Sequence, residues 1–259
     1  MGLIDSHAHI TYPGLVDRVD EVMTNCRNAG VEKVICIGTT PTDALNACRL
    51  AEQFAGAIHP AAAFHPHHAA EATEDQFELL WRIWKDPKVV AFGEMGLDYH
   101  YDHSPRDVQK SVFSRQLTVA RGYDRPIIIH CSEAFEDCVP MLLDHGFANR
   151  RVVFHCFTGT AAEAAALAKH GWRISFTGIV TFKKSTWLHD IAREYPVDQL
   201  MVETDSPYLA PEPLRGRQPN EPAWVAHVAR FLAKLRGCEY EELVELTSRN
   251  TRQFFGLGA

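Results

Sequence analysis

Eight short apolar runs, each followed by a stretch with helical spacing, restrict this chain more than any other feature. Strands are expected over residues 4–9, 31–38, 58–65, 89–96, 126–130, 151–155, 173–179 and 200–205. Between them, apolar positions three and four apart predict helices over 15–29, 42–54, 74–85 and 134–145. A further helix carries Val112, Phe113, Gln116, Leu117 and Ala120 on one face. An Ala-rich helix ends at Lys169, another runs through Arg193, and two more cover 224–236 and 240–255. Gly30 is placed to end the first helix, and Thr40-Pro41-Thr42 to open the second. Strands apolar throughout belong to a sheet covered on both faces. With no linker, low-complexity run or charge block in 259 residues, the expected fold is α/β, a single (β/α)8 TIM-barrel domain over 1–259. An open doubly wound sheet would want a glycine-rich phosphate loop after the first strand, and none follows residue 9.

In such a barrel the C-terminal strand ends open on one mouth. Standing there are His7 and His9 of the first strand, His65 of the third, Glu94 of the fourth, His130, His155 and Asp205. Alternation of strand faces groups Asp5 with His7 and His9, and sends Ser6 and Ala8 the other way. Burying so many polar groups unpaired would cost several kcal/mol each, so the set reads as a metal centre. Imidazoles and carboxylates without thiolate suit zinc, magnesium or manganese in an open catalytic site. Six of these seven as ligands, with a water, exceed one tetrahedral ion and suit two ions about 3.5–4 Å apart. Two dications offset by Glu94, Asp205 and a hydroxide leave a small positive residue, which favours an anionic substrate.

Composition narrows the setting. A formal charge of −7 gives no basic footprint for long duplexes, although nucleic acid held locally by metals stays open. Seven cysteines in no paired spacing read as free thiols, and a cytoplasmic location is expected. Cys131 and Cys156, each one residue past a strand-end His, are expected to face the helices. No apolar run approaches the ~20 residues of a membrane span, and no basic segment precedes a cleavable signal. Gly2 formally fits an acylation pattern, but it leads straight into the first core strand. No obligate protein partner is evident.

The residues carry a resemblance. His7-Ala8-His9, Phe64-His65-Pro66-His67, the run from Gly93 through Glu94 to Tyr99, Ile129-His130, His155-Cys156-Phe157-Thr158-Gly159 and Glu203-Thr204-Asp205-Ser206-Pro207-Tyr208 resemble the TatD family of metal-dependent hydrolases, within the amidohydrolase superfamily. Arg215-Gly216, Asn220-Glu221-Pro222, Asn250 and Phe254-Phe255-Gly256 extend the match along the chain. The resemblance implies one ion on His7, His9 and Asp205, a second on His130 and His155, Glu94 bridging them, and His65 facing the substrate. It also implies phosphodiester hydrolysis, trimming single-stranded DNA or DNA 3′ ends. Asp205 would orient the attacking hydroxide or take its proton. Arg215, Arg217 and Lys183 are candidate phosphate contacts, Glu203 a candidate support one layer deeper, and Asp98 and Tyr99 candidate rim contacts. One departure is Ala63-Phe64, where the family has glycine with a small residue; the added bulk is expected to narrow the mouth.

Two other functions fit less well. An amidohydrolase opening a cyclic amide, lactone or small ester often bridges its metals with a carbamylated lysine on the fourth strand, but residues 89–96 hold Glu94 and no lysine. A non-enzymatic, metal-stabilised scaffold would want closed four-ligand sites. Serine-triad and zinc-deaminase motifs are absent.

Overall fold

The computed structural model describes residues 2–101 and 103–258. The strands are β1 (Leu3–Ala8), β2 (Val31–Gly38), β3 (Ile58–Ala62), β4 (Ala91–Asp98), β5 (Ile127–Ser132), β6 (Val152–Phe154), β7 (Arg173–Phe176) and β8 (Leu200–Val202). All neighbouring pairs are parallel, in the order β1 to β8. The ring closes just past β8, where Ala8 bridges Ser206, His9 N–H donates to Ser206 O (2.7 Å) and Asp205 N–H to His7 O (3.0 Å). The expected (β/α)8 barrel is what the chain forms.

Around it lie α1 (Val19–Asn28), α2 (Pro41–Gln53), α3 (Glu74–Trp84), α4 (Arg106–Ala120), α5 (Phe135–Asp144), α6 (Ala161–Lys169), α7 (Thr186–Glu194), α8 (Val225–Arg236) and α9 (Tyr240–Phe255). Local chemistry sets their ends. Thr40, Thr73 and Thr160 cap α2, α3 and α6 through their side chains, Thr160 reciprocally with Glu163. Gly30 follows α1 with φ +76°, as its sequence position predicts. The first helix is shorter than expected, because Val16–Arg18 form a separate 3-10 turn.

Alternation then separates two apolar layers. Val34, Cys36, Phe92, Ile127, Ile129, Val152, Phe154, Leu200 and Val202 face the helices. Ile35, Ile37, Ala61, Ala91, Ile128, Val153 and Met201 gather inside the barrel, with Phe254 and Phe255 of α9. Arg151 donates to Phe254 O (2.7 Å) at the start of β6, so α9 closes the end of the barrel opposite the imidazoles.

Several strand bounds differ from expectation, two of them with consequences for the site, and one side-chain expectation is corrected. β3 stops at Ala62, and His65 instead opens a 3-10 turn at Pro66–Glu71. β4 runs through Asp98, which pairs with Ser132 of β5, while on its other edge Gln109 of α4 accepts from Asp98 N–H (2.8 Å) and donates to Asp98 O (2.9 Å). Phe64 does not narrow the mouth. It is 1% exposed, packs edge-on against Phe77, and both its backbone groups are held by Gln116.

Candidate metal centre

β4 carries an irregularity that decides where Glu94 points. Phe92 pairs with Ile127 but Met95 with Ile129, so three residues on β4 span two on β5. Strict alternation from inward Ala91 would send Glu94 to the helices; the extra residue returns it to the interior. Glycines flank it for a steric reason. A Cβ on Gly93 would lie 2.5 Å from Ile128 Cβ, and one on Gly96 2.0 Å from His130 O, with φ of +159° and +145°.

Glu94 is 2% exposed and its two oxygens face different partners. Oε2 lies 3.3 Å from His7 Nε2 and 3.8 Å from His9 Nε2. Asp205 Oδ1 completes that group, 3.6 Å from His7 Nε2 and 3.2 Å from His9 Nε2. These separations match the ~3.4 Å edge of a tetrahedron with bonds of about 2.1 Å. Oε1 lies 2.5 Å from His155 Nε2, 2.7 Å from His130 Nδ1 and 3.3 Å from His65 Nε2. Glu94 thus stands between two donor groups that could each hold a cation, the second drawn in to hydrogen-bond contact. Glu94 Oε2 and the Nδ1 atoms of His7 and His9 are buried without a hydrogen-bond partner.

Electrostatics agree. Burial would raise the Glu94 carboxyl, but His155, His65, His7 and His130 overcome it and hold it well below the usual carboxylate range. Burial disfavours charge on His155, yet Glu94 and Glu203 keep it well above the ordinary imidazole value. His130, likewise buried, is raised to about 9 by Asp98 and Glu94. Burial dominates at His65, pushing it down to about 3. Asp205 is held below its usual range: burial opposes this, and His9 outweighs it. Ionised carboxylates facing protonated imidazoles are what a cation displaces protons from.

A further layer supports the ring nitrogens turned away from Glu94. His155 Nδ1 is 3.3 Å from Glu203 Oε1, whose other contact is Cys156 N–H at 2.7 Å. His130 Nε2 is 2.8 Å from Asp98 Oδ2, and His67 Nε2 is 3.0 Å from the same oxygen.

Several placements differ from the sequence reading. Asp5 does not join His7 and His9. A register shift between Asp5 and Ala8 leaves its carboxylate bonded to Thr204 N–H (2.9 Å) and Oγ1 (2.6 Å). Ser6, expected to point away, reaches Glu203 Oε2 at 3.4 Å. Asp98 is 1% exposed and sits behind His130 rather than on the rim. Tyr99 bonds Asp137 (2.6 Å) under Arg106, outside the cleft. Cys131 packs on the helix side as expected. Cys156 instead sits at φ +46° with Sγ 3.5 Å from Thr177 Oγ1, because the chain turns immediately after β6.

The cleft holds about 520 Å³, and His9, Tyr12, His65, Glu94, His155 and Asp205 are among the residues lining it. Arg215, Arg217 and Lys183 do not line it. The two arginines border a neighbouring pocket that shares only Leu209 with the cleft, and Arg215 lies over the Phe182 ring at 4.1 Å. Gln109 and Gln116 of α4, which hold Asp98 and Phe64, were not foreseen as site supports. Their signal was two buried-face glutamines seven residues apart on one helix.

A (β/α)8 barrel with imidazoles and carboxylates meeting at its C-terminal strand ends defines a metal-dependent hydrolase. The chain belongs to the TatD related DNase family, whose sequence profile matches residues 4–256. It is 37% identical over 253 residues to the uncharacterized metal-dependent hydrolase YabD of Bacillus subtilis, covering 98% of each chain. It is 34% identical over 259 residues to the 3′-5′ ssDNA/RNA exonuclease TatD of Erwinia amylovora, covering 98% of this chain and all of that one. Among solved structures, YjjV, a TatD homologue from Escherichia coli K12, superposes with a TM-score of 0.92 at 27% identity, covering 99% and 98% of the two chains.

Proposed function

We propose that this enzyme hydrolyses phosphodiesters with two divalent ions, zinc, magnesium or manganese, and removes nucleotides from the 3′ end of single-stranded DNA. The observation that carries the reading is the division of Glu94, one oxygen toward His7 and His9 and the other toward His130 and His155. In it, His7, His9 and Asp205 hold one ion, His130 and His155 the other, and Glu94 bridges. Such ions stabilise the charge that develops on phosphoryl oxygens and make water acidic.

The side chains supply the rest. Asp205, held ionised, accepts the proton of the attacking water. His65 accepts from His67 N–H through Nδ1 (3.1 Å), which leaves its proton on Nε2 facing Glu94 and His130. Kept neutral by burial, it would have that proton free for a phosphoryl oxygen once Glu94 and His130, now its neighbours at 3.3 Å, are turned to an ion. Arg215 and Arg217, with Lys183 one residue beyond Phe182, receive a phosphate farther along the strand. Free thiols at all seven cysteines suit a reducing, cytoplasmic setting.

The test is a 5′-labelled oligonucleotide incubated with protein loaded with each ion in turn. A ladder shortening from the 3′ end, abolished by chelator and reduced at least ~100-fold in Asp205→Asn with unchanged circular dichroism, supports the reading. Full activity in Asp205→Asn, or faster turnover of a lactone and small-ester panel than of DNA, overturns it.

A further inference from the structure

Among the described residues, those lining the cleft include no lysine or arginine, so the walls offer a nucleic acid little beyond imidazoles and aromatic rings. Two of those rings are half-open to solvent. Tyr101, after β4, and Tyr208, after β8, are each 53% exposed, although large hydrophobic side chains elsewhere are mostly buried. Both are fixed to the metal centre through their backbones. Tyr101 N–H donates to Asp98 Oδ1 (2.7 Å), while the other oxygen of that carboxylate holds His130. Tyr208 N–H donates to Asp205 O (3.0 Å), and Tyr208 O accepts from the fully buried Asn220 (2.5 Å).

Neighbouring rings set how each tyrosine stands. Tyr12 stacks on His9 at 4.8 Å, its hydroxyl anchored on Thr39 (2.9 Å). Tyr208 meets Tyr12 edge-on at 6.4 Å and His9 at 6.5 Å. Tyr101 stands edge-on to His67 at 5.7 Å and lies nearly parallel to His103 at 5.8 Å. Each ring is thus braced by its neighbours while keeping half its surface for a flat, apolar ligand.

We infer that Tyr101 and Tyr208 are stacking platforms for the nucleobases next to the scissile phosphate. The inference rests on the phosphodiesterase reading of the same cleft and deepens it, because it assigns the side chains that hold the unpaired bases of the strand. A base in a duplex is stacked on its neighbours and turned to its partner, so it cannot lie on a ring at the mouth of the cleft. A free base can, and with little regard to sequence, since every base presents a π-face.

The experiment uses full-length protein loaded with metal and a phosphorothioate oligothymidylate, which resists hydrolysis and allows binding to be read by fluorescence anisotropy. A second strand carries tetrahydrofuran abasic residues at its two 3′-terminal positions. Tyr208→Ala and Tyr101→Ala are each expected to raise Kd for the thymidylate strand about 5- to 100-fold. Both are expected to leave binding of the abasic strand within twofold of the unsubstituted protein, and Tyr208→Phe and Tyr101→Phe to restore thymidylate binding. Turnover of the ordinary phosphodiester strand should show the loss in KM rather than kcat. Equal weakening on both strands, no weakening on either, or failure of the phenylalanine variants to rescue would overturn the inference. If the unsubstituted holoenzyme neither binds nor cleaves any strand, the phosphodiesterase reading itself falls, a result separate from these.

Discussion

Asp98 shows how much one buried carboxylate does for the centre. Its Oδ2 meets both His130 and His67, and its Oδ1 accepts from His100 N–H (2.9 Å) and Tyr101 N–H. A carboxylate on the far nitrogen of a ligating imidazole fixes the tautomer and raises its basicity. On the proposed two-ion reading, Asp98→Asn is therefore expected to weaken one of two divalent-ion binding steps about 10- to 100-fold, measured by calorimetric titration of chelator-treated protein. The other step, which depends on His7, His9 and Asp205, should be unchanged. Glu203→Gln is expected to act in the same direction through His155. Equal effects on both steps would mean that these carboxylates stabilise the barrel rather than tune single ligands.

At the scale of elements, the bulge in β4 and the glutamines of α4 aim what the strands only approximately present. Gly96→Ala places a methyl carbon 2.0 Å from His130 O at a φ of +145°. It should cost about 2–4 kcal/mol in denaturant unfolding and weaken metal binding as well, because His130 must shift. Gln109→Leu leaves the Asp98 N–H and the Asp98 and Ser104 carbonyls unpaired. A loss of about 2–4 kcal/mol is expected.

These elements also show what the sequence could reveal. His130 and His155 follow strict alternation after Ile128 and Val153, so spacing alone placed them. Glu94 reached the interior only through the extra residue on β4, for which the signal was a glycine before it and another two residues after. Asp5 went astray because the shift in β1 leaves no mark in composition. That Arg215 and Arg217 border the pocket beside the cleft rather than the cleft itself was not legible, because a loop's path depends on contacts that spacing does not encode. Gln116 counts in the sequence as one more residue of an apolar face, since the backbone groups it holds lie 52 residues away, and spacing does not mark Gln109 as the partner of Asp98.

Across the whole molecule, stability and chemistry are concentrated at opposite ends of the barrel. Phe254 is fully buried at the closed end. Phe254→Ala is expected to cost about 3–5 kcal/mol while leaving the affinity for divalent ions within twofold, so the same titration separates the two ends. Conversely, ions that bind only the folded chain stabilise it by about 4 kcal/mol at a thousandfold excess over Kd. Chelation should lower the thermal midpoint, and adding metal back should restore it. The contact that closes the ring joins residue 8 to residue 206, and the carboxylate of the neighbouring residue 205 is what His7 and His9 meet. A growing polypeptide still short of that point carries its imidazoles without their counterpart. Closure of the barrel and completion of this donor set are therefore one event, and whatever opens the seam between residues 8 and 206 also takes the carboxylate away from His7 and His9.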